Sequence, residues 1–516
     1  MPSDLHAVLR RYWGYATFRP VQERIVRSLM NGRDVAVVMP TGGGKSLCYQ
    51  LPALLSGRTA VVVSPLLALM RDQQLQLEQM GIPAAVLNSD LSGAEQSAVM
   101  RQARQGAYRL LYLSPERLAR EDTIAWLQQV PLAFFAIDEA HCISEWGHEF
   151  RPEYRQLRRL REVFPALPIA AFTASATRRV RQDILQQLHL RAPDKYILSF
   201  HRPNLRYLVQ VCDQKTQERL LLTALREHTE SGNAIVYSPT IRGVTATVNF
   251  LAQYGIAAVP YHGQMESEER RGNQERWMND EVRVLVGTIA FGLGINKPGV
   301  RTVVHLSLPK SIEQYYQEAG RAGRDGLPAD CLLLWKRQDV GLLAHFIGQL
   351  TDEEERQRAW QRYRSVRDFA ESARCRHHQV CLHFGEKPKW EQCAMCDVCG
   401  PVPEWLTAVP QPGVEKALRP RRASGVSPLP AVSYRPPSSV TPSASAKFAE
   451  RLRAWRLATA RTQQCAAFIV LHDATLQEIC RRRPRTLAEL RDVPGIGERK
   501  LALYGQAILD VLTEEG

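Results

Sequence analysis

The stretch DVAVVMPTGGGKSLCYQLP, residues 34–52, decides the fold. Its first half is β-branched and apolar without polar alternation, the pattern of a strand buried on both faces. A glycine-rich turn follows, then a helical stretch opening at Lys45 and Ser46. Strand, turn and helix in that order make a phosphate cradle. Thr41, Gly42, Gly43 and Gly44 expose backbone N–H groups, and the helix N-terminus adds positive potential. Lys45 would reach the β and γ phosphates of ATP, and Ser46 would hold Mg²⁺. The general pattern has glycine where Met39 stands, so its first position is unmet; a flexible turn beside a surface lysine is the plainer alternative.

Strands of the same kind recur on either side of helical spacers such as LMRDQQLQLEQM: TAVVVSP (59–65), YRLLYLSP (108–115), LAFFAIDE (132–139) and IAAFT (169–173). The pattern starts afresh with NAIVYSP (233–239), AAVPYHG (257–263), VRVLVGT (282–288) and VRTVVHLSLP (300–309). This predicts an α/β protein with two tandem parallel-sheet domains, joined near Phe200–Leu205 where HRPN breaks regularity. From about residue 350 the chain turns helical and charged. Residues 401–445 carry ten prolines among Ser, Ala and Arg and predict an extended linker, followed by a small all-α bundle.

At 516 residues the chain is too long for one core. Lys plus Arg outnumber Asp plus Glu by 67 to 53, a formal charge of +14 that favours polyanionic partners, with a solvated basic surface as the bland alternative. No apolar run approaches the roughly 20 residues a membrane helix needs, and MPSDLHAVLRRYWGY has no signal core. The expectation is therefore no membrane partner and a cytoplasmic protein, nucleoid-associated if bacterial. Five of the eleven cysteines fall between Cys375 and Cys399, which suits a metal better than a disulfide framework.

Several groups complete a phosphoryl-transfer site. Asp138 and Glu139 end a buried strand, where a Mg²⁺ ligand and a water-orienting acid would face the phosphates. Arg321 and Arg324, in YYQEAGRAGRDG, are three apart and would share a face of one helical turn pointing into an interdomain cleft. The loop after Asp138, DEAHCISEWGHEFRPEY, holds Trp146, Phe150, Arg151 and Tyr154, rings and a cation suited to stacking and holding single-stranded nucleic acid, although such aromatic stripes are more often core. Cys375, then 17 residues, then CAMCDVC with Cys393, Cys396 and Cys399 suits tetrahedral Zn²⁺. An iron–sulfur cluster is the competitor, but its usual continuation C-x3-C-P is replaced here by GPVPEW. HHQVCLHF beside it reads as helix.

Through FRPVQ, MPTGGGKSLCYQLP, SPLLALMRDQ, YLSPERL, DEAHCISEWGHEFRPEY, FTASAT, YHGQM, VGTIAFGLGINKP and QEAGRAGRDG, the chain resembles the RecQ family of superfamily 2 DNA helicases over residues 1 to about 345. The resemblance implies two RecA-like domains around one ATP. Tyr15, Arg19 and Gln22 fall in the family's adenine-recognising segment, and Gly44, Lys45 and Ser46 in its phosphate loop. Asp138 and Glu139 match the Mg²⁺ and water site, and Gln317, Arg321 and Arg324 the closing motif. Thr173, Ser175 and Thr177 fall in the segment that couples the domains. Ser64, Arg71, Arg117, His262 and Thr288 lie in segments expected to line a single-strand groove. The four cysteines match the family's zinc-binding domain. Residues 446–516 resemble the HRDC domain, whose turn VPGIGERK would offer amides, Arg499 and Lys500 to a phosphate.

The implied layout is RecA-like domain 1 (1–205), RecA-like domain 2 (206–345), zinc-binding domain (346–400), linker (401–445) and HRDC-like bundle (446–516). Most bacterial members place a winged helix where this chain has its proline-rich interval. The implied function is an ATP-, Mg²⁺- and Zn²⁺-dependent helicase moving 3′ to 5′ on single-stranded, tailed or branched DNA. Repair and recombination follow as its setting, with single-strand-binding or recombination proteins as candidate partners. The rivals are a translocase or annealing factor with weak unwinding, and a non-catalytic nucleic-acid scaffold.

Overall fold

The structure is a computed structural model that describes residues 4–88, 90–147, 149–229, 231–291, 297–407, 444–463 and 467–513. Most of the proline-rich interval lies outside the described residues. The first sheet holds β1 (Val35–Val38), β2 (Thr59–Val63), β3 (Ala84–Leu87), β4 (Leu110–Leu113), β5 (Leu132–Ile137), β6 (Ile169–Thr173) and β7 (Asp194–Ile197). Their order is β3-β4-β2-β5-β6-β1-β7, with every pairing parallel. The second holds β8 (Leu205–Val211), β9 (Asn233–Tyr237), β10 (Ala258–Tyr261), β11 (Val284–Gly287), β12 (Val300–His305) and β13 (Ala329–Trp335), ordered β10-β11-β9-β12-β13-β8 and again parallel.

Helices on both faces bury β2, β6, β9, β12 and β13 at every position, which explains why these strands read as unbroken apolar runs. Four strands lie beyond the sequence expectation: β3, β7, β8 and β13. β7 is an edge strand whose Lys195 and Ile197 face solvent, so it lacks the apolar run. β8 starts at the expected domain join and pairs along its whole length with β13.

In a parallel sheet all strand ends lie on one edge, so the turns after β1, β2, β5 and β6 converge there, and those after β9, β10 and β11 converge on the second sheet. The opposite end of β1 is pinned by buried Asp34, which accepts from Arg161 at 2.5 Å, Ile169 N at 2.9 Å and Arg191 N at 2.6 Å. Such a buried carboxylate is tolerated because all its partners are supplied. Helix Glu353–Glu371 leads to Cys375, helix Arg376–His383 separates it from the other three clustered cysteines, and helices Ala444–Thr462, Asp473–Arg482, Leu487–Arg491 and Glu498–Thr513 pack around Leu452, Val470, Ile479, Leu490 and Ile508. Among the described residues no helix is long and apolar enough to cross a membrane.

Candidate active site and nucleic-acid surface

The turn after β1 carries Gly42 at φ 82° and Gly44 at φ 86°, backbone that L side chains rarely adopt, and Gly44 caps the helix Lys45–Ser56. Gln22 is buried behind this turn. Its Nε2 donates to Gly43 O at 3.3 Å and Gly44 O at 3.1 Å, while its Oε1 accepts from Arg19 N at 2.9 Å. Arg19 donates to the Gly42 carbonyl. The segment expected to read adenine therefore also holds the phosphate loop in shape, with Tyr15 exposed beside it. Lys45 Nζ donates to Met39 O at 3.3 Å, back across the loop.

Asp138 and Glu139 follow β5, two strands from β1. Asp138 is buried, and desolvation together with Glu139 pushes its carboxyl up to about 6 against the pull of Lys45. A buried acid in that condition suits a divalent cation. Glu139 sits at φ 46°, a left-handed conformation costing on the order of 1–3 kcal/mol, and its N–H donates to Asp138 Oδ1 at 3.0 Å. His141, which sequence reasoning left without a role, lies between the acids and the loop: Nδ1 is 3.0 Å from Thr173 Oγ1 and 3.3 Å from Glu139, and Nε2 is 3.6 Å from Glu149. Thr173 Oγ1 accepts from Ser175 N at 3.3 Å, and Gln317 Nε2, from the other domain, donates to Ser175 Oγ at 2.8 Å.

The expected helical turn for Arg321 and Arg324 is not there. The helix Ile312–Ala319 stops at Gly320, and Gly323 takes φ 54°, so both arginines ride on successive turns. Arg324 still faces the first domain, while Arg321 is buried beside it against Tyr237 of its own sheet. The Arg324 stem passes 3.6 Å from where a β-carbon on Gly42 would lie. Arg202, at the domain join, was missed by sequence reasoning although HRPN marked its position. It donates to Thr41 O at 3.1 Å in the phosphate loop and to Ala322 O at 3.3 Å and Gly323 O at 3.2 Å across the cleft. Burial, Arg321 and Arg202 together push Arg324 down to about 9, so the cleft concentrates positive charge opposite the phosphate loop.

The sulfurs of Cys375, Cys393, Cys396 and Cys399 lie within 4.8 Å of one another, with Cys393 to Cys399 at 3.6 Å and Cys396 to Cys399 at 3.4 Å. Zinc–sulfur bonds of about 2.3 Å put tetrahedral sulfurs about 3.8 Å apart, so the cluster fits the ion. A hydrogen bond from Cys393 pulls the Cys396 thiol down, the direction in which a thiolate ligand forms. His377 is a neighbour rather than one of the four, its Nδ1 3.1 Å from Cys393 Sγ and its Nε2 3.1 Å from Arg202 O. The same module holds the domain join: Glu386 accepts from Ser199 Oγ at 2.7 Å and Phe200 N at 2.8 Å, and Phe200 stacks on Phe384.

Along the carboxyl edges of the sheets, Ser64 follows β2, Arg117 lies in the turn of helix after β4, and His262 and Thr288 follow the paired strands β10 and β11. Arg71 is exposed and paired with Asp90 at 2.9 Å. Trp146 is 39% exposed and packs against the guanidinium groups of Arg179 and Arg358; Phe150 packs against Arg155, and Arg151 donates to Pro65 O at 3.4 Å. Tyr154 does not join them. It is fully buried and its hydroxyl donates to Asp138 O at 3.0 Å, because Pro152 starts a short helix that turns it into the core.

Four family models match in order: DEAD/DEAH box helicase at 19–184, helicase conserved C-terminal domain at 216–326, RecQ zinc-binding at 337–400 and HRDC at 445–512. The chain is 43% identical over 392 residues to the ATP-dependent DNA helicase RecQ of Pasteurella multocida and 40% over 395 to that of Bacillus subtilis, 76% of this chain in each case. The chain belongs to the RecQ family. The matches span 61% and 66% of those relatives' own lengths. Two more distant structures share the fold alone. Saccharomyces cerevisiae Dbp5 bound to RNA and ADP BeF3 has TM-score 0.53 and 17% identity, covering 72% of this chain and 92% of that one. Mss116p bound to ssRNA and AMP-PNP has TM-score 0.56 and 15% identity, covering 75% and 88%.

The HRDC region departs from its expected geometry. Its turn is packed on the end of the first helix, with Gly495 N donating to Gly14 O at 3.1 Å and Gly497 so close that a β-carbon there would meet Tyr12 O at 2.7 Å. Lys500 is buried and donates to Ile469 O at 3.0 Å within the bundle, and Arg499 lies over Gly81. Arg10 pairs with Asp492 at 2.9 Å, and Arg461 with Glu281 of the second domain at 2.6 Å. The Gly495 amide and the lysine expected to meet phosphate are spent on protein contacts.

Proposed function

We propose that the chain is an ATP-driven DNA helicase translocating on single-stranded DNA, 3′ to 5′, with tailed or branched duplexes as substrates in repair and recombination. The observation that carries this reading is the two-sided cleft: the phosphate loop and Asp138–Glu139 on one sheet, Arg202, Arg321 and Arg324 on the other side, and Gln317 linked to Ser175 across it. In this reading Tyr15 stacks on adenine, Gln22 holds its edge and Lys45 meets the β and γ phosphates. Mg²⁺ between Ser46 and Asp138 would neutralise charge developing on the phosphates. Glu139 orients the attacking water, and the three arginines balance the transferred group once the lobes close. Trp146 and Phe150 stack on bases while Ser64, Arg71, Arg117, Arg151, His262 and Thr288 track the strand. His141 joins that loop to Glu139 and Thr173, giving bound DNA a physical route to the hydrolytic acid. The domain divisions near 205, 345, 400 and 445 belong to the same proposal.

Unwinding and ATPase assays on 3′-tailed, 5′-tailed and blunt duplexes test it. Displacement confined to the 3′-tailed duplex, with DNA-stimulated hydrolysis, is expected. Stimulated hydrolysis without displacement would instead favour the translocase or annealing reading, which the proline-rich interval recommends. Absence of stimulated hydrolysis would leave only a scaffold.

A further inference from the structure

Behind the hydrolytic edge lies a cavity of about 210 Å³ between the β1–β6–β7 side of the first sheet and the helix Arg178–Gln187. Cavities of about 150 Å³ accommodate a benzene ring, so this one has room for a larger apolar group. Its walls are aliphatic: Ala36, Val38, Ala171, Ile184, Leu185 and, at the open margin, Ile197, which is 52% exposed on the edge strand. Its floor reaches Thr173 and Ala140. The mouth is cationic, formed by Arg178, Arg181 and Lys195.

None of those three cations forms an ion pair among the described residues. Arg178 donates to Gly385 O at 3.0 Å and Arg181 to Phe384 O at 3.2 Å, carbonyls at the C-terminal end of helix Arg376–His383 whose partial negative charge offsets only part of two full guanidinium charges. Desolvation and its neighbour Arg178 both push Arg181 down, the condition of a cation lacking an anion. Glu386, which lines the adjoining opening with Arg178 and Arg181, already has its two oxygens engaged by Ser199 and Phe200. A greasy interior under incompletely balanced guanidinium groups complements one ligand chemistry: a compact apolar body with a single carboxylate at one end.

We propose that this cavity is a binding site for a small apolar carboxylate, its ring or chain seated among Val38, Ile184 and Leu185 and its anion received by Arg178, Arg181 and Lys195. The site is separate from the nucleotide cleft and from the strand groove, although its floor residue Thr173 contacts His141.

2-Naphthoate is a suitable probe, titrated into the full chain with saturating AMP-PNP and single-stranded DNA and followed by saturation-transfer NMR and calorimetry. The expected result is saturable one-site binding about tenfold tighter than that of neutral 2-naphthylmethanol. Ile184→Trp, which fills the cavity, should abolish it. Arg181→Gln should weaken it about fivefold to tenfold, and the exposed Lys195→Gln, which cannot disturb the core, about twofold to threefold. Absence of saturable binding, equal affinity for the alcohol, unchanged affinity in both charge variants, or displacement by the nucleotide or DNA would overturn the proposal.

Discussion

Two segments of this chain look alike in sequence, the loop Ser144–Arg155 and the turn Val493–Lys500: each mixes glycine with basic residues, and each reads as a nucleic-acid contact. They end up in opposite situations. The loop keeps Trp146 at the surface, against the guanidinium groups of Arg179 and Arg358, and hangs from Glu139 through His141. The turn is pressed onto Tyr12–Gly14, its Gly495 amide bonded to a carbonyl and its lysine buried. A glycine permits close approach by whatever backbone arrives, phosphate or peptide, so the sequence leaves open which of the two comes.

Four substitutions separate the loop from the turn. Lys45→Ala should reduce ATP hydrolysis by at least about a hundredfold with DNA binding retained, which establishes that the read-out for the others comes from this cleft; a steady-state ATPase assay and a DNA binding isotherm check both halves. Trp146→Ala should lower DNA stimulation of hydrolysis roughly tenfold while nucleotide affinity stays put, since stacking contributes about 1–3 kcal/mol per base; full stimulation in the variant would make the loop no different from the turn. Gly497→Val, which drives a side chain into Tyr12 O, should release the bundle, measured as lost hydrogen-exchange protection at the Gly495 amide, yet leave DNA stimulation within about twofold. Tyr154→Phe should cost about 1 kcal/mol of stability by deleting its bond to Asp138 O, read from denaturant midpoints, with DNA stimulation unchanged.

The two sheets and the phosphate loop were legible because burial on both faces writes itself as unbroken apolar runs, and a positive-φ turn before a helix requires glycine. The cysteine cluster was legible from spacing alone. Edge strand β7 escaped because only one of its sides is paired, and Tyr154 was misread because the short helix from Pro152 reverses a ring that linear reading leaves in a loop. Arg202 and His141 escaped for a different reason: each acts through partners far apart in the chain, Thr41 with Gly323 for the first and Thr173 with Glu149 for the second, and no local pattern encodes such a meeting. The same holds for the HRDC turn, whose partner is the first helix.

The position of β1 between β6 and β7 has a consequence for how the protein is made. Val35 pairs with Ala170 on one side and Asp194 on the other, so the strand that ends in the phosphate loop has no neighbour until the ribosome has released most of the first domain. Until β6 emerges an apolar segment waits unpaired, and a nascent chain stalled before Asp194 would still leave one of its edges open. Chaperone capture of this protein should therefore peak on chains that end short of β7 and fall once that edge strand emerges.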